Sequence, residues 1–64
     1  MITPSVDLFR IVASGEVEWI EAVKSLETAK ANIEDLEKVA PGDYMMRERK
    51  TGRRICLKKG HWEL

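Results

Sequence analysis

The chain has 64 residues, with eleven acids, eleven bases and one histidine, and so carries no net charge. A domain this short buries only about 60% of the surface its unfolded chain exposes, so a partner would add stability. One cysteine excludes an internal disulfide, and with the single histidine it cannot complete a four-ligand zinc site.

No apolar run approaches the roughly 18 residues of a membrane span, and "MITPSVD" lacks the basic start and apolar stretch of a signal peptide. A cytoplasmic protein is therefore expected, as one domain over residues 1–64 with flexible ends at 1–6 and 60–64. Charge is uneven along the chain. Residues 1–43 hold nine acids and four bases, whereas residues 44–64 hold two acids and seven bases.

In chain order, "LFRIVASGEVEWIEAV" comes first. It is rich in Val, Ile, Phe and Trp and is broken by Ser14-Gly15, which reads as a hairpin, with one long helix as the competing reading. A loop of Ala13, Ser14 and Gly15 with a left-handed glycine pairs Phe9 with Trp19, Ile11 with Val17 and Arg10 with Glu18. Phe9, Ile11, Val17 and Trp19 then share one face, which is expected to meet the helix.

"SLETAKANIEDLEKVA" follows. Leu26, Ala29, Ile33, Leu36 and Ala40 recur at spacings of three and four, with Val39 beside them, which predicts a helix over 26–39. Ser25 caps its start, Glu27 complements the dipole of the first turn, and Lys30, Glu34 and Lys38 form i,i+4 pairs outside. Pro41-Gly42 ends it.

"DYMMRERKTGRRICLKK" predicts a second hairpin. A four-residue loop, Arg49 to Gly52, pairs Glu48 with Arg53, Met46 with Ile55 and Tyr44 with Leu57 on one face. Met45, Arg47, Arg54, Cys56 and Lys58 take the other. The order is thus ββαββ, an α+β fold with a four-stranded antiparallel sheet and one helix packed on one face. The first and third strands are apolar on both faces and the other two are charged, which predicts strand order 2-1-3-4.

The segment "WIEAVKSLETAK", followed by "APGDY" and "KTGRRI", resembles small uncharacterised bacterial proteins with an "sLeeAk…PGeY…TGr" pattern, over about residues 17–57. The shared motifs are a helix cap, a helix stop and a turn. The resemblance implies a bacterial origin and this fold, and no known activity.

Cys56 is the one conventional nucleophile and His61 the one imidazole. Arg54 and Lys58 flank Cys56 on the same strand face, but no third orienting group is recognisable in so short a chain, so Cys56 reads as a small strand residue. Glu16, Glu18 and Glu21, like Glu34, Asp35 and Glu37, read as solvated charge. Neither an enzyme, a metal nor a cofactor is expected. The proposed register sends Leu8, Val12, Ile20, Ala22 and Met45 to the face away from the helix, more apolar area than a solvated face needs, and Trp62 is a further anchor. A protein-interaction module that self-associates as a homodimer is therefore the leading expectation, with Leu8, Val12, Ile20, Met45 and Trp62 at the interface.

The alternative is nucleic-acid binding by the basic hairpin 47–59, with Arg47, Arg49, Lys50, Arg53, Arg54 and Lys58 meeting phosphates. Against it stand a pI of 6.6, the lack of an aromatic among the outward bases, and glutamates on the same sheet.

Overall fold

A computed structural model describes residues 5–63. It contains β1 (Val6–Ile11), β2 (Val17–Val23), α1 (Leu26–Val39), β3 (Asp43–Glu48), β4 (Arg54–Lys58) and β5 (His61–Glu63). All strand pairings are antiparallel, and the sheet order is β2-β1-β3-β4-β5. The fold is α+β with one helix, as expected, but the sheet has five strands rather than four. The fifth arises because Lys59 and Gly60 both take positive φ, 51° and 79°, the requirement of a tight two-residue hairpin turn. The Lys59 amide donates to Asp43 Oδ1 at 3.3 Å, which helps hold a non-glycine residue in that conformation. Strand β4 is therefore internal. Of the end segments expected to be flexible, Val6 is buried in β1 and residues 61–63 form β5, while residues 1–4 and 64 lie outside the described residues.

The local registers follow the sequence closely. Phe9 faces Trp19, Arg10 faces Glu18 and Ile11 faces Val17. The loop between them closes through Val12 N–H to Glu16 C=O and Gly15 N–H to Val12 C=O, with Gly15 at φ 91°. In the second hairpin Tyr44 faces Leu57 and Met46 faces Ile55, and Gly52 sits at φ 76°. The helix starts where Ser25 Oγ accepts the Thr28 amide, and the Ala40 amide closes its last turn onto Leu36. Tyr44, first of the buried β3 residues, donates its hydroxyl to the Ala40 carbonyl and so ties the helix end to the sheet.

The faces of the first hairpin are inverted relative to the sequence expectation. The core joins Val6, Leu8, Val23, Tyr44, Met46 and Leu57 of the sheet to Ala29 and Ile33 of the helix. Trp19 is 60% exposed and Val17 51% exposed, so neither lies under α1. Successive residues of a strand point to opposite faces, so Phe9 and Ile11 share a face with Asp7. Turning them toward the helix would carry the Asp7 carboxylate into the apolar layer, a far greater cost than exposing an indole. The β1–β3 register settles the matter by pairing Leu8 with Met46 and Phe9 with Met45. A one-residue slip would exchange the faces.

Two further expectations change. A register shift after Leu8, which faces Glu21 while Phe9 faces Trp19, leaves Ile20 as an extra residue in β2, and Ile20 packs against the core. Val39 is 86% exposed and takes no part in the helix's apolar face.

Candidate interaction surface on the open sheet face

The sheet face opposite α1 has no element of the described chain packed across it. Ladder partners align on it in rows perpendicular to the strands. Trp19, Phe9, Met45 and Cys56 are successive cross-strand partners, so β2, β1, β3 and β4 present a continuous apolar row. Val17 and Ile11 extend it at the β1–β2 end. On its other side Ala22, Asp7, Arg47 and Arg54 form the next row. Phe9, Ile11, Met45 and Cys56 are half-buried, whereas Arg47, Arg54 and Lys58 are exposed.

Asp7 organises this surface. Its side chain is 12% exposed and accepts from Arg49 Nε at 2.9 Å, Arg49 Nη2 at 2.7 Å and Trp19 Nε1 at 3.2 Å. The two-pronged Arg49 contact matches the planar guanidinium to both carboxylate oxygens. Arg49 lowers the Asp7 pKa below its ordinary value; burial opposes this, and the Trp19 hydrogen bond and the Arg47 charge reinforce it. The indole of Trp19 is consequently anchored at its N–H edge although most of its surface meets solvent.

Of the expected interface residues, Met45 alone lies on the open face as placed. Leu8 is fully buried beneath the helix, and Ile20 belongs to the core side. Val12 lies just beyond β1 and is half-buried. Trp62 pairs with Leu57 on the helix side, where Lys30 Nζ stands 5.8 Å from its ring centroid and Nε1 donates to Glu34 Oε2 at 3.4 Å. It covers the core's margin rather than the open face. Trp19, Phe9, Ile11 and Val17 stand on the open face instead, and the sequence signal for that placement is Asp7 at the same parity.

The six bases do not form one patch. Arg47, Arg54 and Lys58 project from the open face, Arg49 is held by Asp7, and Lys50 and Arg53 belong to the turn region. In that turn Thr51 donates to Glu48 Oε1 at 2.8 Å and accepts the Arg53 amide at 3.2 Å. Trp19 and Phe9 now share a face with the first three bases, which removes one of the arguments against nucleic-acid binding.

For catalysis, Cys56 stands opposite Glu63 and the exposed His61 stands opposite Lys58. Among the described residues no group of three or more His, Cys, Asp or Glu side chains is placed to hold a metal ion, and no helix is long and apolar enough to cross a membrane. Comparison with protein-family models, curated proteins and solved structures finds no match to this chain.

Proposed function

We propose that the chain is a bacterial, non-catalytic protein-interaction module of the cytoplasm that self-associates through its open sheet face. The observation that carries this reading is the cross-strand row of Trp19, Phe9, Met45 and Cys56, extended by Val17 and Ile11. A solvated face of an antiparallel sheet is ordinarily polar, and an apolar band rimmed by charge is the composition of a contact surface. The exposed, hydrogen-bonded indole of Trp19 supplies the aromatic anchor that such contacts favour. Sedimentation equilibrium at high micromolar concentration is expected to show a dimer for the parent chain and a monomer for Trp19→Lys. A monomeric parent overturns the reading.

A second reading has one specific observation behind it. Two aromatic side chains beside three outward cations are the elements of a stacking surface for single-stranded nucleic acid. Three phosphate contacts would give a log–log salt slope of about −2 on a single strand. Titration with labelled oligonucleotides at several salt concentrations separates the readings, and a dimer without salt-dependent binding is expected.

A further inference from the structure

We propose that two copies stack open face on open face about a two-fold axis that runs parallel to the strands and passes between β1 and β3. This arrangement rests on the self-association proposed above and specifies how the second copy sits. The argument comes from the rows. A two-fold of this kind reverses each row end for end and lays it on its own counterpart, giving an isologous contact in which every pairing occurs twice. Trp19 then meets Cys56 of the second copy, and Phe9 meets its Met45. Both are contacts of an aromatic ring with sulfur, which are favourable. In the neighbouring row the exposed Arg47 lies over the Asp7–Arg49 pair, whose carboxylate Arg49 already holds through both oxygens, and Ala22 leaves room for Arg54.

In the third row Val17 lies opposite Lys58, whose stem covers it while the ammonium reaches solvent past the edge strand β2. Asp43 falls opposite Ile11 and retains the Lys59 amide as its partner. Strand β5 overhangs the contact, leaving His61 and Glu63 at the rim. The other simple choice, an axis perpendicular to the strands, lays the Trp19 row on itself and exchanges the rows beside it. That sets Lys58 against Arg54 and Cys56 against Cys56 of the second copy. Directly opposed like charges on a closing face are unfavourable, and the strand-parallel axis instead sets Arg54 against Ala22 and Lys58 against Val17. Face-to-face sheets with nearly aligned strands are a standard packing.

The axis has a direct chemical readout, because Cys56 is the chain's one cysteine. With strands about 4.8 Å apart and sheets about 10 Å apart, the two Cys56 residues are separated by about 17 Å under the strand-parallel axis and directly opposed under the other. A cysteine introduced by Val17→Cys, at a half-exposed site, would lie about 12 Å from Cys56 of the second copy. A bismaleimide chosen to span the shorter distance is expected to leave the parent chain unlinked and to convert Val17→Cys into covalent dimers, with Val17→Cys/Cys56→Ser unlinked. Circular dichroism of each variant checks that it folds. Linkage of the parent through Cys56, with none gained at position 17, overturns the axis while leaving self-association in place. A parent that sediments as a monomer, or that binds oligonucleotides on this face instead, overturns both.

Discussion

Asp7 decides which side of β1 meets the helix, and its chemistry gives two predictions at the scale of single residues. Its folded pKa is lowered, chiefly by the Arg49 hydrogen bonds, so its contribution to stability is fully present above the unfolded value of about 3.9 and is lost as pH falls through the folded value. Asp7→Asn should therefore lower the unfolding midpoint at pH 7, and its gap from the parent should narrow as pH falls below about 4. A gap that stays constant across that window would show that the carboxylate's charge contributes nothing. Ile33 and Trp19 form the second test. Ile33 is fully buried, and truncation to Ala should cost about 2–4 kcal/mol in urea unfolding. Trp19→Ala removes a mostly exposed ring and one hydrogen bond, and should cost about 1 kcal/mol. Comparable losses at both positions would mean that the indole is buried after all.

The elements and their local pairings were legible in the sequence, because each is specified by a few adjacent residues. Ser25 and Pro41-Gly42 bound the helix as expected, and Ser14-Gly15 and Thr51-Gly52 mark both hairpin loops with their registers. What was not legible was the coupling between the hairpins. The β1–β3 register joins residues more than 30 positions apart, and no turn fixes it, so the local pattern alone points the larger apolar set of β1 and β2 under the helix, whereas Asp7 at the same parity turns it outward. The fifth strand was missed because Lys-Gly is a weaker signal for a two-residue turn than Asn-Gly. That turn is open to test. A β-branched residue at position 60 must adopt φ near 79°, with no neighbouring atom within 4 Å to confuse backbone strain with a clash. Gly60→Val should release β5, shift Trp62 emission toward the red and lower stability by about 1–2 kcal/mol. Unchanged Trp62 emission would place that residue's packing elsewhere. Trp19→Phe provides the background for reading Trp62 alone.

At the scale of the whole molecule, the chain carries more apolar surface than one layer can use. Among the described residues, one sheet face and one helix build a core of eight buried apolar residues, and the same strands leave a second apolar band facing away from it. If that band is closed by a second copy, unfolding is linked to dissociation and the midpoint rises with protein concentration. For two chains of 64 residues at about 0.7 kcal/mol of unfolding enthalpy per residue, the rise is on the order of 5 °C for each tenfold in concentration. The inverted parity makes the companion variants specific. Trp19→Lys puts a charge on the open face without disturbing the core and should abolish the concentration dependence while leaving a folded monomer. Ile20→Lys puts its charge against the core side of β2 and should lower the midpoint at every concentration instead. Had the faces been arranged as the larger side chains suggested, the two variants would exchange these outcomes. Differential scanning calorimetry of the parent and both variants, over a hundredfold range of concentration, therefore tests the orientation of β2 and the role of the open face together.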